Sequence, residues 1–297
     1  MLKLEKARVV IVGLGLMGGS LAAALKERKV CREVWGVARR PETIDEALRR
    51  GFIDQGGLDL ADAVAEANIV ILATPVRTIL ELIPRIGALA PPGCLVMDIG
   101  STKGAIVQAM TTLPSHVQCL GGHPMCGKEV SGLGAAEATL YQDHVFILTP
   151  LRRTSESASA VAQKLVRGVG ARPLILSPER HDRLVAAVSH LPHLLASTLV
   201  MTAKELNEGD DLVWEVAASG FRDSSRIAAS DVQMRLDILF TNQEAVLQAL
   251  QRVQAQLQHI ADLLESGDEE GLREILESAR EQRLGMFCAR RTSPAVV

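Results

Sequence analysis

The sequence has few aromatic residues and no excess of basic charge. Phe, Trp and Tyr together make up 3% of its 297 residues, and the formal net charge at pH 7 is -3. A protein that binds nucleic acid usually needs aromatic side chains for base stacking or a basic surface for the phosphate backbone. The composition therefore argues against nucleic acid as a partner.

Cysteine is scarce, and its positions show no pairing pattern. The chain has five cysteines, an odd number, with no Cys-x-x-Cys pair among them. This spacing favours neither a disulfide framework nor a zinc cluster. We expect reduced thiols and no bound metal. The five residues are Cys31, Cys94, Cys119, Cys126 and Cys288.

Long hydrophobic runs are also missing. Apolar runs such as 8–12 and 68–72 have the length of a β-strand, well below the roughly 20 residues that cross a bilayer as a helix. The first residues lack the apolar region and the small-residue cleavage site of a signal peptide. We therefore expect no transmembrane helix, no membrane partner and a cytoplasmic protein.

The length and the pattern of apolar residues predict two unlike domains. A chain of 297 residues exceeds the usual size of one hydrophobic core. Its first half alternates short apolar runs with helical stretches, which is typical of strand-helix-strand units in a parallel sheet. After residue 177 no strand-like run returns, and amphipathic helical segments such as 236–264 and 270–284 dominate.

The predicted fold class is α/β, an N-terminal Rossmann domain with a doubly wound parallel sheet followed by an all-helical domain. We place the dinucleotide-binding domain at 1–176 and a helical domain for substrate binding and dimerisation at 177–297. The candidate strands are 8–13, 33–37, 68–73, 94–99, 117–121, 144–149 and 172–176.

A glycine-rich stretch directly follows the first predicted strand and opens a helix. In a Gly-x-Gly-x-x-Gly sequence the first glycine permits a tight turn, the second lets the backbone approach a pyrophosphate, and the third allows close helix packing. The helix N-terminus attracts the negative charge. A glycine turn without a ligand is the alternative. The predicted cofactor contacts are Gly13, Leu14, Gly15, Leu16, Met17 and Gly18, together with Thr74 and Pro75 after the third strand.

The end of the second predicted strand indicates which dinucleotide is bound. An acidic residue at this place usually accepts the ribose hydroxyls of NAD, but the sequence here is Ala38-Arg39-Arg40. Two guanidinium groups suit the additional phosphate of NADP. We therefore expect NADP, with NAD possible. The alternative is that Arg39 and Arg40 are solvated surface charges.

Two further polar residues follow neighbouring strands. Ser101 lies just after the strand 94–99, and His123 lies just after the strand 117–121. Ligands of open α/β sheets bind outside the carboxyl ends of the strands, so both side chains can reach one substrate. A histidine there can accept a proton near neutral pH. The alternative is a histidine satisfied by backbone groups.

The other histidines have weaker settings in the sequence. We expect His190 to pack between helices or to lie behind the site. Nothing in the sequence suggests a site role for His116, His144, His181 or His259.

In the helical half, Arg222 follows a glycine in a predicted break between helices. An arginine held there could pair with a substrate carboxylate through two hydrogen bonds. The alternative is a structural ion pair with Asp223 or Glu215.

Taken together, five motifs in this order resemble the prephenate/arogenate dehydrogenase family, the cyclohexadienyl dehydrogenases of tyrosine biosynthesis. The resemblance covers nearly the whole chain, and the five motifs are more specific than the glycine stretch alone. They are Gly-x-Gly-x-x-Gly at 13–18, Asp-x-Gly-Ser-x-Lys at 98–103, Gly-Gly-His-Pro-Met at 121–125, Ser-His-Leu-Pro-His at 189–193 and Gly-Phe-Arg-Asp at 220–223.

The resemblance implies an oxidative decarboxylation. A cyclohexadienyl ring loses a hydride to the cofactor and its ring carboxylate as carbon dioxide, which yields 4-hydroxyphenylpyruvate from prephenate or tyrosine from arogenate. It also implies a homodimer formed through the helical domain, whose long apolar faces suit such an interface.

The resemblance further implies a role for each candidate residue. His123 would bind the ring hydroxyl and take its proton, Ser101 would help to orient that hydroxyl, and Arg222 would hold a substrate carboxylate. His193 would contact the substrate side chain, which favours prephenate. Glu129 would tune the site, or it is a surface carboxylate.

Two other functions remain open from the sequence. A β-hydroxyacid dehydrogenase also begins with a Gly-Leu-Gly-x-Met-Gly stretch, but it would need a catalytic lysine in the helical half. Lys204, the only lysine after residue 177, lies in no recognisable motif. A noncatalytic dinucleotide sensor that dimerises would give Ser101, His123 and Arg222 no purpose.

Overall fold

The structure is a computed structural model that describes residues 2–292, with side chains through residue 286. Within it, one compact unit ends at Val246 and a second begins at Leu247. The described residues of the second unit are helical apart from a turn at Gly267 and Asp268, and all the residues discussed as a site lie in the first unit.

The first strand, β1 (Arg8–Val12), shows why the sheet is covered on both faces. Val9 and Ile11 belong to one buried hydrophobic cluster, while Val10 and Val12 belong to a second. Successive side chains of a strand point to opposite faces, so an unbroken apolar run needs a helical layer on each side. The sheet is therefore the middle layer of three.

The sheet has eight strands in the order β3-β2-β1-β4-β5-β6-β7-β8. The neighbouring pairs are parallel except β6 and β7, which are antiparallel. The strands after β1 are β2 (Glu33–Val37), β3 (Gln55–Gly57), β4 (Ile69–Leu72), β5 (Leu95–Asp98), β6 (Gln118–Pro124), β7 (Val145–Pro150) and β8 (Arg172–Ile175).

The sequence predicted seven of these strands within a few residues and missed β3. The segment Gln55–Gly57 is short and glycine-rich, so it carries no apolar signal. The predicted parallel sheet is confirmed, with the antiparallel β6–β7 pair as an exception within it. Strand β6 also extends to Pro124, so His123 lies inside the strand rather than after it.

Helices alternate with the strands and then make up most of the described residues after β8. Several begin with a side-chain cap, for example Ser177, whose hydroxyl accepts from the Arg180 backbone N–H. The helices are α1 (Leu16–Glu27), α2 (Pro41–Arg49), α3 (Leu60–Val64), α4 (Val76–Leu89), α5 (Gly104–Met110), α6 (Glu156–Gly168), α7 (Pro178–Val185), α8 (Leu191–Asn207), α9 (Ser219–Ser225), α10 (Val232–Thr241), α11 (Gln243–Ser266) and α12 (Glu269–Thr292).

Helices α7 and α8 are joined without a break by a π-helical turn, Ala186–His190, directly before Leu191-Pro192. A proline cannot donate the backbone hydrogen bond of a regular helix, and such π turns often occur at functional sites. The helix nevertheless continues through this proline to Asn207.

The continuous helix Pro178–Asn207 is long and apolar enough to cross a membrane by length and composition alone. The sequence predicted no such segment because its uninterrupted apolar runs are short. Helices of soluble proteins also pass this test, and this one carries the buried polar residues His181, Asp182 and His190.

Candidate active site

The glycine stretch forms a tight loop between β1 and α1. Gly13 has a φ of 103°, and a Cβ at Gly18 would lie 1.9 Å from the Gly13 carbonyl oxygen. By contrast, a Cβ at Gly15 would meet no atom within 4 Å. Gly13 and Gly18 are therefore needed by the fold itself, whereas Gly15 leaves open space at the N-terminus of α1, where a pyrophosphate fits.

Thr74 faces the same loop. Its methyl carbon would lie 2.8 Å from a Cβ at Gly13, and its hydroxyl oxygen is buried without a hydrogen-bond partner in the described part of the chain. A buried hydroxyl without a partner is uncommon in a folded protein. A dinucleotide bound at the loop would supply the hydrogen-bond partner that the Thr74 hydroxyl lacks. Pro75 follows it, exposed at the start of α4.

Arg39 and Arg40 come directly after β2 and are exposed. Among the described residues, neither side chain forms a hydrogen bond or an ion pair, so both guanidinium groups are available to a phosphate. Leu14 and Leu16 are buried in the core beside the loop. Met17 accepts a hydrogen bond from the Tyr141 hydroxyl through its carbonyl oxygen, at 2.7 Å.

A buried ion pair ties the ends of β5 and β6 together. Asp98 and Lys103 are fully buried, and the Lys103 ammonium contacts an Asp98 carboxylate oxygen. The same ammonium donates to the Gly122 carbonyl oxygen at 2.6 Å. Gly122 itself donates its N–H to Asp98 at 3.2 Å. The pair thus holds His123, the next residue, close to the Asp98–Lys103 turn that contains Ser101.

His123 bonds to a second histidine, His181 on α7. The distance from His123 Nδ1 to His181 Nε2 is 2.7 Å, and the rings meet edge to face. This contact leaves His123 Nε2 as the free ring nitrogen. Burial lowers the pKa of His123 well below its usual value, and the nearby His181, Lys103 and His190 lower it further. The imidazole is therefore neutral near pH 7.

Asp182 completes this chain of hydrogen bonds. One of its carboxylate oxygens lies 2.7 Å from His181 Nδ1. The backbone N–H groups of Lys103 and Gly104 donate to the same carboxylate at 2.8 and 2.7 Å. Nothing in the sequence placed His181 near His123, because the fold brings α7 against the start of α5, a contact that sequence spacing does not reveal.

His190 lies behind this cluster and His193 beside it. The Asn242 side-chain amide lies 3.2 Å from His190 Nδ1 and donates to the Asp182 carbonyl oxygen at 2.9 Å. Burial lowers the pKa of His190 to about 4. His193 is 9% exposed, and both its ring nitrogens lack a hydrogen-bond partner among the described residues. Such a ring is suited to contact a bound ligand.

The remaining predicted site residues form no hydrogen bond with His123 in the described part of the chain. Ser101 is half-buried beside the ion pair, and its hydroxyl has no hydrogen bond within residues 2–286. Arg222 lies inside α9 rather than in a break between helices, exposed, with its Nε 3.9 Å from Asp223. Glu129 is exposed and forms an ion pair with Arg226. No contact links Arg222 to His123 in the described part of the chain.

The fold and these residues define a class. A glycine loop at a helix N-terminus, two free arginines after β2 and a neutral histidine at the carboxyl edge of the sheet are typical of a nicotinamide-dependent dehydrogenase. Groups of three or more metal-binding side chains were not found among the described residues.

Comparisons with known proteins identify the family. Residues 21–175 match the family model of the prephenate dehydrogenase nucleotide-binding domain, and residues 177–278 match that of the prephenate dehydrogenase dimerization domain. Together the two models cover most of the chain. The protein belongs to the prephenate dehydrogenase family.

Individual relatives agree with this. Prephenate dehydrogenase of Bacillus subtilis is 35% identical over 95% of this chain and 76% of its own length. Cyclohexadienyl dehydrogenase of Zymomonas mobilis is 32% identical over 94% of this chain and 95% of its own. The resemblance stated from the motifs is confirmed, and with it the expectation of a dehydrogenase.

Solved structures match over the same range. Prephenate dehydrogenase from A. aeolicus, in complex with hydroxyphenyl propionate and NAD+, has a TM-score of 0.89 and 33% identity and covers 94% of this chain and 98% of its own. Synechocystis arogenate dehydrogenase has a TM-score of 0.83 and 30% identity, over 94% and 99%. A 3-hydroxyisobutyrate dehydrogenase from Mycobacterium tuberculosis, at 16% identity and a TM-score of 0.57 over 82% and 87%, shares the fold alone.

Proposed function

We propose that the protein oxidatively decarboxylates prephenate to 4-hydroxyphenylpyruvate in tyrosine biosynthesis, with NADP as its preferred cofactor. Arogenate is a second possible substrate and would give tyrosine. The observation that carries the proposal is a neutral, half-buried His123 with one ring nitrogen free, at the same carboxyl edge of the sheet from which the glycine loop emerges. The names of the relatives support the substrate class.

The residues around the glycine loop fit a nicotinamide dinucleotide. Gly15 leaves space for the pyrophosphate, the Thr74 hydroxyl supplies an unused polar group, and Arg39 and Arg40 suit a phosphate on the adenosine ribose. When bound, this cofactor supplies the hydride acceptor. The preference for NADP rests on Ala38-Arg39-Arg40, where members that use NAD carry an acidic residue.

His123 then acts on the hydroxyl of the substrate ring. Loss of hydride from the carbon that carries this hydroxyl develops positive charge on its oxygen. The free Nε2 of neutral His123 accepts the hydroxyl proton and so removes that charge. Departure of carbon dioxide leaves its bonding electron pair in the ring, which becomes aromatic, and the proton returns to the phenol oxygen.

The other side chains orient the substrate. We propose that Ser101 donates to the same hydroxyl, and that His193, whose ring nitrogens lack partners, contacts the keto-acid side chain of prephenate. Arg222 is proposed to hold a substrate carboxylate, and Glu129, paired with Arg226, to shape the rim of the site.

We also propose a cytoplasmic homodimer formed by the helical part after residue 177. The name of the matching C-terminal family model supports the dimer. Large apolar side chains in this part are exposed in the single chain, and burial against a second copy would remove them from water. Light scattering at micromolar concentration tests this, since a monomer would contradict it. These side chains include Val188, Leu206 and Val216.

One assay tests substrate and cofactor together. The purified chain is mixed with prephenate or arogenate, each with NAD or NADP, and reduced cofactor is followed by absorbance. We expect the fastest turnover with prephenate and NADP, and 4-hydroxyphenylpyruvate and carbon dioxide as products. A tenfold preference for NAD would contradict the cofactor, and no turnover of either cyclohexadiene would contradict the reaction.

A further inference from the structure

Behind His123 lie two buried polar side chains, His181 and Asp182, and the second accepts hydrogen bonds from backbone N–H groups. His123 bonds to His181, and His181 bonds to Asp182, each at 2.7 Å. We propose that Asp182 and His181 are positioning residues that hold His123 with its proton on Nδ1 and its Nε2 free as the acceptor. This inference rests on the proposed function, in which His123 is the base.

The direction of each hydrogen bond follows from the donors at the far end. The backbone N–H groups of Lys103 and Gly104 can only donate, and both point at Asp182. Asp182 is therefore the acceptor and is satisfied as a carboxylate. The nitrogen of His181 next to it, Nδ1, must carry a proton and donate. In a neutral imidazole the other nitrogen is then an acceptor.

The hydrogen bond between the two rings fixes the proton of His123 as well. Because His181 Nε2 is an acceptor, His123 Nδ1 must be the donor in the bond between the two rings. His123 Nε2 is left without a proton. This is the protonation state that a general base needs. It is set by the Asp182 carboxylate, two hydrogen bonds away, rather than by the substrate.

The hydrogen bonds through His181 to Asp182 also explain how the half-buried His123 tolerates the proton it receives. A protonated imidazole in this place would lie near the Lys103 ammonium, which is fully buried against Asp98. Asp182 supplies a negative charge that acts on His123 through its hydrogen bond to His181. Such support lowers the cost of the charged intermediate, as an oriented carboxylate does for the histidine of a catalytic triad.

Nitrogen NMR of the full chain labelled with ¹⁵N-histidine tests the proton positions directly. We expect His123 and His181 each to carry a single proton, on Nδ1, at pH 8 with NADP present. The signals are assigned with His123→Asn and His181→Gln. A proton on His123 Nε2, or two protons on His181, would overturn the inference whether or not the protein turns over prephenate.

Turnover of prephenate tests whether the hydrogen bonds from His123 through His181 to Asp182 contribute to catalysis. Leucine at 181 removes the acceptor, so His181→Leu should lower kcat about 100-fold, with the KM for prephenate within about threefold. Glutamine can still accept a hydrogen bond from His123, so the kcat of His181→Gln should be about tenfold higher than that of His181→Leu. His116→Gln is the matched control, because the one hydrogen bond of the His116 side chain in the described part of the protein is to the Ala90 carbonyl oxygen, and its kcat should equal that of wild type.

The possible results separate the two proposals. A wild type that turns over prephenate and a folded His181→Leu that keeps more than a third of its kcat would overturn the positioning role alone. A folded His181→Gln as slow as His181→Leu would overturn the acceptor role. A wild type without turnover would overturn the proposed function, and the NMR measurement would then decide the proton positions by itself.

Discussion

Two parts of the candidate site differ in how their polar groups are satisfied. Around the glycine loop, Arg39, Arg40 and the Thr74 hydroxyl form no hydrogen bond within the described chain, and Gly15 borders open space. Around His123, by contrast, one ring nitrogen is already bonded to His181, which bonds in turn to Asp182.

The difference reflects what each part has to do. A surface that binds a cofactor must leave its donors free until the cofactor arrives, so its polar groups are completed by the ligand. A catalytic base must have one defined proton position before the substrate binds, because reorganisation during the reaction would raise the barrier. Changes in the first part should therefore affect binding, and changes in the second should affect turnover.

Replacement of His123 should give the largest effect. Removal of a general base typically costs about 100- to 10,000-fold in rate, so His123→Asn should lower kcat by that order. The Kd for NADP should stay nearly unchanged, because the glycine loop and the arginines hold it. Steady-state kinetics and cofactor titration measure the two. If the variant kept more than a third of wild-type turnover, another group would have to be the base.

The pH dependence of turnover should report the protonation of His123. Burial lowers the pKa of His123 well below 6.5, and His181, Lys103 and His190 add to this. The active neutral form therefore persists below pH 6.5, and kcat should fall only as the pH drops through the lowered pKa. In His123→Asn this acid limb should vanish. A limb centred at or above pH 6.5 in wild type would contradict the assignment.

Two glycines of the loop sharpen the comparison further. Gly15→Ala adds a methyl group to open space, so the melting temperature should stay the same, while the Kd for NADP should rise by at least about tenfold. Gly18→Ala would place its Cβ 1.9 Å from the Gly13 carbonyl oxygen and should lower the melting temperature. Equal NADP affinity in Gly15→Ala and wild type would argue against a pyrophosphate at this helix.

Arg39 should have a smaller effect that depends on the cofactor. A hydrogen bond to a charged group is worth at least about 1.5 kcal/mol, so Arg39→Ala should raise the KM for NADP about tenfold. The KM for NAD, which lacks that phosphate, should change little. Arg49→Ala, another exposed arginine on the neighbouring α2, is the control. A similar rise for both cofactors would assign Arg39 to a general surface role.

Much of the sheet could be predicted from the sequence because its strands are buried on both faces. Runs such as Ile69–Leu72 are apolar at every position, and this signal does not depend on distant contacts. Gln55–Gly57 lacks that signal because it forms the edge of the sheet. Its pairing with β2 depends on tertiary contacts, which local residue preferences do not record.

The site was predictable where a motif lies in one segment and not where the fold joins distant segments. Gly13–Gly18 and His123 stand out in their own sequence context. His181 and Asp182 act through groups 58 and 79 residues away in the chain, His123 and the Lys103 backbone. The buried setting of His193, with both nitrogens free of partners, also appears only when α8 is packed.

His193 should give the smallest change and the most selective one. Burial, with a contribution from Arg235, lowers the pKa of its imidazole, so the ring is neutral and its N–H can donate to the keto group of prephenate. Arogenate carries an ammonium group instead, which cannot accept that bond. One neutral hydrogen bond is worth about 1 kcal/mol, so His193→Ala should lower kcat/KM for prephenate about fivefold and for arogenate less than twofold. The measurement is kcat/KM for both substrates with NADP at saturation. Equal losses for the two substrates would mean that His193 supports the packing of α8 and does not read the substrate side chain.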